Sequence, residues 1–102
     1  MSRRSADAHA RIVEEIAREK AATLGRAGER LEAALAEVAE IERALRAAAD
    51  APTRAPLAAA YERAWHAAEA ARQTLLIQRE AVGLRHHRDV EQQFPRPARR
   101  PG

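Results

Sequence analysis

The segment Asp50-Ala-Pro-Thr-Arg-Ala-Pro56 divides the chain into two stretches with helical periodicity, and this break constrains the fold more than any other feature. Pro52 lacks an amide donor, and its ring biases Ala51 away from the α region, so one helix must stop here before another starts. Upstream, Val13, Leu24, Leu31, Val38, Ile41 and Leu45 follow an a/d heptad, with Ala10, Ala17, Ala27, Ala34 and Ala48 in the gaps. Downstream, Leu57, Tyr61, Ala64, Ala68, Ala71, Leu75 and Val82 recur at helical spacing. Alanine is 27 of the 102 residues, and only one Trp, one Tyr and one Phe are present. Alanine loses no side-chain entropy in a helix, so this composition favours long helices with narrow seams and excludes a β-rich fold.

The expected architecture is all-α: two long antiparallel helices, a helical hairpin or antiparallel coiled coil, completing a four-helix bundle by dimerisation. Residues 1–4 read as a disordered N-terminus and residues 5–50 as helix 1, capped by Ser5 with Asp7 near the positive end of the dipole. Residues 51–56 form the turn, with Thr53 as the cap of helix 2 and Pro56 in a first turn where its missing donor has no partner to lose. Helix 2 is expected over 57–92 and a Pro/Arg-rich tail over 93–102. So short a connection makes the helices neighbours, with paired positions summing to about 106. That register sets Leu45 by Tyr61, Ile41 by Ala64, Val38 by Ala68, Leu31 by Leu75 and Leu24 by Val82. Further out it sets Lys20 by Arg85, and brings Val90 and Phe94 level with Ile16 and Ile12. Gly25, Gly28 and Gly83 fall close together, marking either a bend, a close backbone approach or tolerated surface positions.

Leu35, Trp65, Leu76, Ile77 and Leu84 lie off the a/d positions, so a single two-helix seam leaves them uncovered. A hairpin this small buries little surface alone, and pairing with a second copy supplies the missing face. A homo-oligomer, first of all a dimer, is therefore expected, with Trp65 and Leu35 in its interface. Ile77 and Leu84 belong to the same interface or to a surface for another protein.

Of the 102 residues, 33 are charged, and no window approaches the roughly 20 apolar residues of a membrane span. The absence of cysteine removes disulfide frameworks, thiolate nucleophiles and zinc ribbons; with no signal-like apolar run after Met1, a cytoplasmic protein with no membrane partner is expected. Glu62, His66 and Glu69 share a helical face, and the register brings Glu37 and Glu40 level with them, a weak metal candidate. Bundle di-iron sites use Glu-x-x-His, and no histidine here has a glutamate three residues before it, so neither metal nor cofactor is expected. The basic excess is C-terminal: Arg79, Arg85, His86, Arg88, Arg96, Arg99 and Arg100 are candidate contacts for phosphate or nucleic acid. The tail's three prolines enforce extended or polyproline II backbone. No glycine-rich phosphate loop or nucleophile elbow is present, and the serines are Ser2 and Ser5 alone. The sequence thus points away from an enzyme and towards a structural or adaptor protein: a self-associating hairpin that binds a protein partner through an apolar strip or its Pro/Arg tail. The alternative is a small nucleic-acid-binding hairpin using the basic end of helix 2 and the C-terminal arginines.

Overall fold

The computed structural model describes residues 2–99, which form three helices and, among the described residues, no strand. Two long helices, α1 (Arg3–Ala47) and α2 (Ala51–Ala81), pack against each other, and a short α3 (Arg88–Gln93) follows. The molecule is a rod of 75 × 21 × 15 Å.

α1 starts two residues earlier than the sequence predicts. Ser2, not Ser5, is the cap, and its hydroxyl accepts from the Ser5 amide at 3.2 Å. The first turn holds Arg3 and Arg4 and no acid, which opposes the helix dipole and leaves this end intrinsically weak. α1 ends at Ala47 rather than Asp50 because Asp50 has another task. Its carboxylate accepts from the Thr53 amide at 3.1 Å and the Thr53 hydroxyl at 2.7 Å, so Asp50, not Thr53, caps α2. These two bonds lower the Asp50 pKa, the Thr53 hydroxyl contributing most. Arg54 closes the turn from the other side, donating to the carbonyls of Leu45 at 2.6 Å and Ala48 at 3.2 Å. Pro52 sits in the first turn of α2, and Pro56 lies one turn further in than expected, inside the helix.

Near the turn the heptad register holds. Val38, Leu45, Tyr61, Ala64 and Ala68 form one buried cluster, with Ile41, Leu57 and Trp65 packed on it. Ala27, Leu31, Leu75 and Val90 form a second, bordered by Leu24, Leu76 and Phe94. Val90 and Phe94 mark the main departure from the sequence expectation. They do not lie beside Ile16 and Ile12, because α2 ends at Ala81 and not at Gln92.

Gly83 causes the stop. Its φ is +93°, in the left-handed region that glycine enters without steric cost. The Leu84 amide donates to the Arg79 carbonyl at 2.9 Å and the Gly83 amide to the Glu80 carbonyl at 3.0 Å, the paired bonds of a Schellman ending. The chain then reverses and runs back along α2 as a third layer. The tail over 93–99 is held against the hairpin, and its remaining residues, 100–102, lie outside the described residues, as does Met1. Gly25 and Gly28 sit within the unbroken α1, and a Cβ at either would meet nothing within 4 Å.

The reversal leaves the N-terminal part of α1 uncovered. Residues 3–22 are all exposed, a helical arm of roughly 30 Å at the usual rise per residue. Ile12, Val13 and Ile16 lie on it, each about half exposed.

Candidate functional site

Two surfaces stand out: the bare arm of α1, and the strip of α2 on which the returning tail lies. The second is built from residues at helical spacing. Tyr61, Trp65, Glu69 and Arg72 succeed one another at i, i+4, i+8 and i+11, and Glu62 and His66 flank them. One side of α2 therefore offers aromatic faces, hydrogen-bond donors and carboxylates together.

The returning segment is pinned in three places. At the reversal, Arg79 donates from Nη2 to both Asp89 oxygens, at 2.9 and 3.1 Å, and to the His86 carbonyl at 3.1 Å. Its Nε donates to His87 Nδ1 at 3.2 Å. In the middle, Arg72, 1% exposed, donates from Nη2 to the Phe94 carbonyl at 2.6 Å, with its Nε 3.5 Å from Glu69. A charge buried this deeply is stable only with partners, and Glu69 and the carbonyl at the end of α3 supply them.

At the far end, Trp65 Nε1 donates to the Pro97 carbonyl at 3.2 Å, and the Tyr61 hydroxyl donates to the Ala98 carbonyl. The Arg99 guanidinium stacks 4.5 Å from the centre of the Trp65 ring and grips Glu62 with both terminal nitrogens, Nη2 at 2.6 Å from Oε1. Arg96 Nε holds both oxygens of Glu69, at 3.1 and 3.2 Å, while its Nη1 reaches Glu91 at 2.9 Å. The Arg99 hydrogen bonds, aided by His66 and opposed by desolvation, bring the Glu62 pKa down to about 2. Arg99 and Arg96 are shifted up in turn, chiefly by their bonds to Glu62 and Glu69. Burial raises the Tyr61 phenol, and the Glu42 charge adds to the effect.

These contacts relocate most of the residues singled out in the sequence. Leu35, Trp65 and Leu76, assigned to a partner interface, are half-buried within the chain, while Ile77 and Leu84 remain exposed. The third layer supplies cover that the sequence reading assigned to a second copy. Of the basic candidates, Arg79, Arg96 and Arg99 are engaged by Asp89, Glu69 and Glu62; Arg85, His86 and Arg88 are exposed; Arg100 lies outside the described residues. The five metal candidates do not converge. Glu62 and His66 share Arg99, Glu69 holds Arg72 and Arg96, Glu40 pairs with Arg43, and Glu37 is exposed. Among the described residues, no three His, Asp or Glu side chains are grouped to hold a metal ion.

Arg72 and Asp89 carry much of this arrangement and were not among the residues the sequence singled out. The signal for Arg72 was positional, since it follows Ala68 by four and precedes Leu75 by three, on the buried side of α2. No described helix is long and apolar enough to cross a membrane. No protein-family model, curated protein or solved structure matches the chain.

Proposed function

We propose that the protein is a non-enzymatic helical adaptor that dimerises through the N-terminal arm of α1, two hairpins joined end to end by a seam of two antiparallel arms, and that engages a further protein. The observation that carries this reading is the apolar face of Ile12, Val13 and Ile16, each about half exposed, on a stretch of α1 whose residues 3–22 are all exposed. The adverse first turn weakens this end of the helix, and most helical stability in proteins comes from packing an amphipathic face, so a packed neighbour is what would hold the arm firmly. A second copy fits the pattern. Antiparallel pairing about a two-fold axis sets Val13 of each arm on Ile16 of the other, with Ile12 opposite Ala17, large against small, permitting close approach. The same pairing brings His9 level with Lys20, which limits its strength and keeps the assembly reversible. Ile77 near the end of α2 and Leu84 in the reversal, both exposed, are the surface left for the further partner. A cytoplasmic setting belongs to this reading.

Light scattering after size-exclusion chromatography tests it, at low and high salt and with bulk nucleic acid added. A dimer that persists in high salt and is lost on Ile16→Arg is expected, since apolar association survives screening. A monomer at every concentration overturns the proposal. A salt-labile complex with nucleic acid, abolished by Arg85→Ala with Arg88→Ala, would instead support the nucleic-acid alternative, for which these residues and His86 are exposed candidates.

A further inference from the structure

The contact between the tail and α2 has the form of a receptor holding a ligand. Its hydrogen bonds to the tail backbone come from Trp65 and Tyr61 and reach successive carbonyls, Pro97 and Ala98. Its carboxylates, Glu62 and Glu69, accept from the side chains of Arg99 and Arg96. The two spacings match. Glu62 and Glu69 are seven residues apart on α2, roughly 10.5 Å along the helix axis. Arg96 and Arg99 are three residues apart, about 9.3 Å in polyproline II geometry, and that turn returns both to one side of the strand. Pro95 and Pro97 stiffen the segment and carry no amide donor that needs a partner.

We infer that this strip of α2 is a binding site for an extended Arg-Pro-x-Arg segment, which the chain's own residues 96–99 fill in cis and a partner protein's segment of the same chemistry fills in trans. The cis occupant is held in a way that permits exchange. The Arg99–Glu62 and Arg96–Glu69 pairs lie at the surface, with both arginine side chains 45% exposed, and such pairs contribute little in water. Phe94 is fixed separately, by Arg72 and the second apolar cluster, so residues 95–99 can lift while α3 stays seated. A tethered occupant competes at high effective concentration, so trans binding is masked in the resting chain and appears when the tail is displaced.

The site is independent of the arm of α1, and Trp65, the single tryptophan, reports on it directly. The experiment titrates the capped peptide of residues 93–99 into the full chain and into Arg99→Glu, following Trp65 emission, with far-UV circular dichroism checking that helix content is retained. Arg99→Ala repeats the measurement without adding a charge. Arg99→Glu and Arg99→Ala should each bind the peptide at least about tenfold more tightly than the unsubstituted chain, because the cis competitor is gone. Adding Glu62→Lys should remove that gain. Equal affinity in the three chains overturns the inference. So does equal binding of a peptide with one alanine inserted between Pro97 and Ala98, which keeps the charge and breaks the spacing.

Discussion

The two ends of α1 share one heptad pattern and have opposite fates. Over residues 27–45, Leu31, Val38 and Leu45 are almost wholly buried; over residues 3–22, Val13 on the same seam and Ile12 and Ile16 beside it are about half exposed. Periodicity therefore marks a face that prefers cover but does not say what covers it. Cover is decided at Gly83. A straight α2 would lay Val90 and Phe94 along the arm, yet it would set Arg85 beside Lys20 and hold glycine in a helix, at about 1 kcal/mol relative to alanine. The bent chain instead uses Gly83 where glycine is at its best, buries Val90 on Leu31 and Leu75, gives Arg72 Nη2 the Phe94 carbonyl and pairs Arg79 with Asp89.

The largest test of this contrast is a pair of truncations. Leu31, 0% exposed, touches both helices and the returning segment, so Leu31→Ala should cost about 2–5 kcal/mol in urea denaturation. Ile16→Ala, measured at a concentration that keeps the chain monomeric, should change stability by less than about 0.5 kcal/mol. Raising the protein concentration should widen the effect of Ile16→Ala and leave that of Leu31→Ala unchanged, because dimerisation stabilises by mass action. Equal losses in dilute solution would mean that the arm is already covered within one chain.

Gly83→Ala should come next, at about 1–2 kcal/mol, the cost of placing a Cβ in the left-handed region. It acts on both regions at once. Part of the strain is relieved if α2 continues past Ala81, which pulls the tail off Trp65 and carries Val90 towards Ile16. The expected signature is a red shift of Trp65 emission with a gain in amide protection over residues 8–20, read by hydrogen exchange. Loss of the tail contact without new protection of the arm would show that the straight form has no stability of its own.

Gly28→Ala should have a smaller effect, of opposite sign. The position is helical, and an added methyl meets no atom within 4 Å, so the substitution should stabilise by roughly 0.5–1 kcal/mol. For a chain of this size that is a rise of a few degrees in the melting midpoint, about 4–8 °C per kcal/mol. A fall in the midpoint would show that the open groove lined by Leu24, Gly28, Val90 and Phe94 closes further than its geometry indicates.

What was legible in the sequence was what depends on neighbours along the chain. Pro52 announced the break, and the heptads near it gave the all-helical hairpin and its register, since each rests on a local rule. The end of α2 was not legible, because residues 84–93 also carry helical periodicity and a lone glycine within such a pattern reads equally as surface. Its stop is reinforced by Arg79 and Asp89, ten residues apart on what looks like one helix. Trp65 read as a residue awaiting a partner for a related reason. The tail that covers it has the composition of a free end, and its docking rests on a match between the Glu62–Glu69 and Arg96–Arg99 spacings that no local pattern records.

Acid should separate the tail from the hairpin, and this is the smallest of the expected effects. Glu62 is held at about 2 in the docked state, whereas a free glutamate titrates near about 4.3. The docked form binds fewer protons, so the contribution of this carboxylate is complete above about 4.3 and disappears as the pH falls towards about 2. About half of the Glu62 side chain faces solvent, which keeps the contribution modest, and the clusters around Val38 and Leu31 contain no carboxylate. Trp65 emission is therefore expected to shift between about pH 4.5 and pH 2 while far-UV circular dichroism holds, and Arg99→Ala should flatten the shift by removing its cause. Emission that moves only in step with helix loss would instead make the tail and the hairpin one cooperative unit, and the bare arm the only part of the molecule that stands apart.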